Sequence, residues 1–120
     1  DGPPEGPYSD RDAARFLTQA TYGPTLAEIT RLRSIGYNAW LTEQFAATQT
    51  LHLPLIDQRI AQQGVDNVWQ GERHEEWVRV AMLANDQLRQ RVAFALSQIL
   101  VISDQNGALE GNPNTLANYY

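Results

Sequence analysis

The run Asp86–Asp104, DQLRQRVAFALSQILVISD, constrains the fold more than any other part of the sequence. Leu88, Val92, Ala95, Ile99 and Ile102 recur in steps of four and three residues, the spacing that lines one face of a helix. Ala93, Leu96 and Leu100 lie beside that stripe, and Phe94 and Val101 extend it further round. So wide an apolar surface predicts a helix packed on several sides, not a surface helix with one apolar stripe. Asn85 or Asp86 supplies an N-cap, because a short side-chain oxygen accepts an orphan backbone N–H. The β-branched residues of LSQILVIS favour a strand. The helical period nevertheless runs on from Leu88 without a Gly or Pro break. It therefore predicts a central buried helix over about 86–104, fraying in its last turn at 101–103.

The rest of the chain reads as shorter helices separated by strong punctuation, which makes the expected fold all-α: five to six short-to-medium helices in a compact bundle around that central helix. Asp1–Pro7 is rich in Pro and Gly and reads as a loose leader over residues 1–8, followed by a single helical domain over 9–120. Ser9, with Asp12 three residues on, predicts a capped helix over Asp10–Ala20 that buries Ala13, Phe16, Leu17 and Ala20. After Gly23-Pro24 a second helix starts at Pro24 or Thr25, with Leu26, Ile29 and Leu32 inward, and Gly36 provides a left-handed stop. Asn38 then caps a helix over 39–46 with Trp40, Leu41 and Phe45 inward. Pro54 opens a helix over about 55–63 that ends at Gly64. A fifth runs over about 72–84, with Trp77, Val80 and Ala81 inward. Asn106–Asn114 is a loop, and Pro113 starts a last helix carrying Leu116, Ala117, Tyr119 and Tyr120. That final pattern predicts the N-terminal fragment of a longer protein.

Charge and composition exclude several function classes. The net charge of −5 over 120 residues argues against nucleic acid as a partner, which needs a basic face. No apolar run approaches the length of a membrane span. The chain has no cysteine, so disulfides and thiolate metal sites are closed to it. Every one of its nine basic residues is Arg, a side chain that keeps its charge and tolerates partial burial when its fork is satisfied.

Four segments together resemble the N-terminal part of the bacterial Domain of Unknown Function 1800 family. They are AARFLTQATYGPT (13–25), GYNAWLTEQF (36–45), LHLP (51–54) and the 86–104 run. The resemblance implies a largely helical protein, several times longer than this chain, and export to the periplasm or beyond. It assigns no biochemical activity. A later acidic, Arg-containing motif typical of the family is absent from this sequence, so no catalytic residue is carried over.

Candidate chemistry is sparse. Arg89 and Arg91 lie on opposite sides of a helix expected to be buried, so each is either an anion clamp or, with more weight, a structural partner of Glu75, Glu76, Asp86 or a helix C-terminus. Gln98 lies between apolar positions and suits an inter-helix hydrogen bond that fixes register. Ser97 is expected to bond back to a helix carbonyl, and Ser103 lacks a nucleophile setting. His74 with Glu72, Glu75 and Glu76 lacks metal-ligand spacing and reads as a solvated helix start, with Glu75 and Arg79 as an i,i+4 pair. His52 reads as a solvated loop residue. Trp40 and Trp77 belong to core patterns, whereas Trp69 stands outside one and is the best candidate for an exposed contact. The oxygen-rich stretch 104–114 does not fill an EF-hand pattern. Arg91, Gln98 and Trp69 are therefore the functional candidates, with no catalytic residue, metal or cofactor expected. Two functions fit. One is a structural or interaction module of a larger exported bacterial protein, partnered by the rest of its parent chain or by another protein. The other is the N-terminal part of an extracytoplasmic enzyme, such as a hydrolase, whose site is completed downstream.

Overall fold

The computed structural model describes residues 5–120. Among these residues there are six α-helices, one short 3-10 turn and no strand, so the protein is all-α. The helices are α1 (Asp10–Ala20), α2 (Leu26–Ala46), α3 (His52–Gln63), α4 (Gln70–Leu83), α5 (Gln87–Ser97) and α6 (Pro113–Tyr119), with the 3-10 turn at Val65–Asn67. They form two compact units. The first holds the chain up to Gln49 together with Asn85–Val92, and the second holds Thr50–Ala84 and Ala93–Tyr120. Of the leader, residues 1–4 lie outside the described part. Gly6–Pro7 is a cis peptide bond, and Pro7 is buried in the first unit.

Local chemistry starts and stops the helices of the first unit. The Ser9 hydroxyl oxygen accepts the Asp12 N–H at 3.1 Å, and the Thr25 hydroxyl does the same for Glu28 at 3.1 Å. Each satisfies one orphan donor of a first turn. The second and third expected helices form one element, α2, broken at Gly36, where φ is 82°. That backbone lies in the region glycine enters without steric cost, so the residue marks the bend. The core of this unit is Ala13, Leu17, Ala20, Leu32 and Trp40, with Phe16 and Leu88 packed against it. Trp40 is 1 % exposed and meets Phe16 edge-on, ring centroids 5.2 Å apart at 85°. Leu26 and Phe45, expected inward, are exposed.

Side chains from distant parts of the same unit hold the start of α5. The Gln44 amide accepts the Leu88 N–H at 3.0 Å and donates to the Asn85 carbonyl at 3.0 Å. The Tyr22 hydroxyl donates to the Gln90 carbonyl at 3.0 Å. Arg89 donates to the Ala47 carbonyl at the end of α2 at 3.0 Å and reaches Asp86 at 3.4 Å. The structural reading of Arg89, a helix C-terminus plus Asp86, is the one found.

The expectation of a buried helix over 86–104 needs correction. The helix ends at Ser97, and Val92, Leu96, Ile99, Leu100 and Val101 are all exposed. Three local effects stop it. The Ser97 hydroxyl donates to the Phe94 carbonyl at 2.7 Å, and such back-bonding competes with the helix ladder. Gln98 and Ile99 N–H then turn to carbonyls three residues back, Ala95 and Leu96, instead of four. Val101 and Ile102 follow, and β-branched residues favour extended backbone. The strand-like preference of this segment outweighed its helical period.

In the second unit α3 packs on α4 and α6, around Ile56, Val68 and Ala117 with Leu53 and Ile60 beside them. Gly64, at φ 85°, ends α3 as expected. The start of α3 is earlier than expected: His52 is its first residue and is 3 % exposed, its ring centroid 5.6 Å from that of Tyr120. The solvated reading of His52 is therefore corrected. Pro54 is accommodated because the first turn of a helix has no intrahelical use for its missing N–H. Pro113 opens α6 in the same way.

Candidate functional site

The inward face of α4 carries charge where a core stripe would be apolar. Arg73, Glu76, Val80 and Ala81 are its buried residues, and they fall at helical spacing with Trp77 between them. Two networks result, both within the second unit.

The first centres on Glu76. Its two carboxylate oxygens accept from Arg59 Nε at 2.7 Å and Arg79 Nε at 2.8 Å, and Glu75 takes Arg59 Nη1 at 3.0 Å. The expected Glu75–Arg79 pair is thus replaced by Glu76–Arg79 and Glu75–Arg59. Burial pushes the Glu76 carboxyl up, but the hydrogen bonds from Arg59 and Arg79 outweigh it and hold the group below the usual glutamate range. This is a structural clasp between α3 and α4.

The second network lines a cleft. α4 starts just after Trp69, whose N–H donates to the Glu72 carboxylate at 2.8 Å and whose indole N–H donates to the Asp66 carbonyl at 3.0 Å. The Glu72 carboxyl lies below its usual range because it takes that N–H. Gln70, the first helical residue, donates to the Leu109 and Glu110 carbonyls at 3.1 Å each, and its oxygen accepts Arg73 Nε at 2.6 Å. Gln70 therefore ties the 104–112 loop to α4 and aims the Arg73 guanidinium. Arg73 Nη2 donates to Asp104 Oδ2 at 3.2 Å and stands 2.7 Å from His74 Nε2. His74 Nε2 also stands 3.2 Å from the same Asp104 oxygen, so the three side chains meet at one point. Hydrogen bonding from Gln105, then the nearby Arg73 and His74, holds the Asp104 carboxyl below the usual aspartate range against its partial burial.

Beside this polar edge lies a cleft of about 350 Å³, walled by Trp77, Phe94, Ile102, Leu116 and Tyr120. Trp77 and Phe94 meet with ring centroids 5.7 Å apart. The Val101–Asp104 segment, released from the helix by the stop at Ser97, forms one side of it.

A family model described as "Protein of unknown function (DUF1800)" matches residues 15–117. The chain belongs to the DUF1800 family. No curated protein and no solved structure matches it. Arg73, His74, Trp77, Phe94, Asp104 and Leu116 of the cleft all fall within the DUF1800 match, while Tyr120 lies beyond it.

The three residues singled out from the sequence do not converge in this cleft. Arg91 is half-buried on α5 within the first unit and is engaged with the protein. Gln98 is exposed past the end of α5, and its amide reaches only its neighbour Ser97, at 3.5 Å, so it makes no inter-helix lock. Trp69 is exposed, as expected, but both of its N–H groups are bonded locally. Arg73 and Asp104 were missed because 31 residues separate them. The available signal was that the stripe of Trp77, Val80 and Ala81 runs back onto Glu76 and Arg73, opposite charges on an inward face. Among the described residues no group of three or more His, Asp or Glu side chains could hold a metal ion, and no helix is long and apolar enough to cross a membrane.

Proposed function

We propose that this chain is an interaction module of a larger exported bacterial protein, and that its exposed apolar segment at the end of α5 is covered by another part of the parent chain. The observation that carries the reading is the run Leu96, Ile99, Leu100 and Val101, with exposures of 50, 76, 64 and 76 %. Four large aliphatic side chains within six residues leave far more apolar surface in water than scattered surface hydrophobics do, and such clusters mark contact sites. Met82 and Leu83 at the end of α4 are exposed as well. Length and export rest on the family resemblance.

The test compares the same substitution in two contexts. Ile99→Glu with Leu100→Glu is expected to leave the melting temperature of the 120-residue chain within about 2 °C, because both side chains already face solvent. In the full-length parent the pair is expected to lower it by roughly 5 °C or more, through two charges forced into a covered apolar contact. An equal, small effect in both contexts, or a parent no longer than this chain, would sink the proposal.

An enzymatic reading is favoured by one observation, the Arg73–His74–Asp104 edge beside an apolar cleft. If the parent is a hydrolase whose site includes this unit, His74→Ala lowers its turnover while leaving its melting temperature unchanged.

A further inference from the structure

The one guanidinium of the cleft in the second unit is held in place with a donor to spare. Arg73 is 7 % exposed and its guanidinium is pinned on two sides: Nε to Gln70, and Nη2 to Asp104 and His74. Its Nη1 makes no hydrogen bond to any described residue, and Arg73 lines the cleft. The cleft's one carboxylate is already served on both oxygens, Oδ2 by Arg73 and Oδ1 by the Gln105 amide at 3.3 Å. What Arg73 lacks is therefore an acceptor. Trp77, Phe94, Leu116 and Tyr120 give the cleft apolar and aromatic walls, with the His74 ring and Ser103 on the polar side. A volume of about 350 Å³ stands at the small end of ligand pockets, which run from about 300 to 1,000 Å³.

We propose that this cleft binds a small aryl carboxylic acid, its ring against the wall that Trp77 and Phe94 form together and its carboxylate on Arg73 Nη1. The fixed guanidinium loses little freedom on binding, since Gln70 and Asp104 already hold it in place. Burial strengthens the charge-assisted bond relative to one made in water. A ligand ammonium would instead meet the Arg73 charge, and an alcohol would forfeit the ionic part of the bond. The cleft shares Val101 with the exposed segment after α5, but the binding test reads Arg73 and the two rings while the covering test alters Ile99 and Leu100, so either can fail without the other.

The probe is phenylacetate, titrated into the 120-residue chain and followed by the NMR shifts of the Trp77 indole N–H and the Phe94 ring. Saturable shifts at both residues are expected, with phenylethanol at least about tenfold weaker and phenethylamine without saturation. Arg73→Gln is expected to weaken phenylacetate at least about tenfold. Should that variant fail to fold, Ser103→Trp decides: Ser103 is exposed at the mouth of the cleft, and an indole there blocks entry while Arg73 stays in place. Three results overturn the proposal: no saturable shift in the native chain up to about 10 mM phenylacetate, phenethylamine binding as well as phenylacetate, or undiminished binding by folded Ser103→Trp.

Discussion

The two units of this protein keep their interiors in different ways. In the first, Leu17, Leu32 and Trp40 are nearly or fully buried, Phe16 meets Trp40 edge-on, and the buried charge, Asp86, sits at the start of α5, where Arg89 and Gln90 donate to it. In the second, the apolar centre is smaller, built on Ile56, Val68 and Ala117, and the inward face of α4 is completed by Arg73 and Glu76. A dry, close-packed interior derives its stability from area and fit and is indifferent to pH. An interior closed by ion pairs depends on every partner being present, since one removed charge strands the others. The cleft of the second unit is lined by a buried charge, Arg73.

Trp40→Ala should produce the largest loss, about 4 kcal/mol, because it empties a site where the ring is 1 % exposed. Denaturant unfolding measures it, and a loss below about 1 kcal/mol would mean that the first unit is not held by its dry core. Glu76→Ala should come next, at about 2 kcal/mol, as Arg59 and Arg79 both lose their carboxylate. That cost is less than for a fully buried pair, because the Arg79 side chain is 53 % exposed.

Acid should distinguish the units further. The Glu76 and Asp104 carboxyls lie below their usual range in the folded protein. Between the folded and unfolded values the unfolded chain binds more protons, so stability rises with pH there. The contribution is complete above the ordinary carboxylate value of about 4 and is lost as pH falls through the lowered folded values. Glu76→Gln should flatten that dependence, whereas Trp40→Ala should shift stability at every pH without changing the slope. Equal slopes in the two variants would erase the distinction. The smallest effect, about 1 kcal/mol, is expected for Thr25→Ala, which removes the cap on Glu28 N–H in the first unit. Thermal unfolding of that variant should keep the acid profile of the parent.

Much of the fold was legible because it depends on neighbours in sequence. Ser9, Thr25, Gly36, Gly64 and Pro113 act on backbone within a turn of themselves, and each does in the structure what its chemistry requires. The end of α5 differs from the expectation because two local tendencies disagree there, and the Ser97 back-bond and the β-branched Val101 and Ile102 decide against the helical period. The cleft was illegible for another reason. Gln70 meets the carbonyls of residues 109 and 110, and Arg73 meets Asp104, contacts that no short-range pattern encodes.

The placement of the tryptophans gives each region its own optical reporter. Trp40 is sealed in the first unit, Trp77 faces the cleft wall of the second, and Trp69 stands in water with its indole N–H tied to Asp66. A variant that keeps only Trp40 should emit at short wavelength and shift red when the first unit opens. One that keeps only Trp69 should emit like a solvated indole throughout. Melting curves from the Trp40-only and Trp77-only proteins, overlaid, would then read whether the two interiors are lost in one event or in succession.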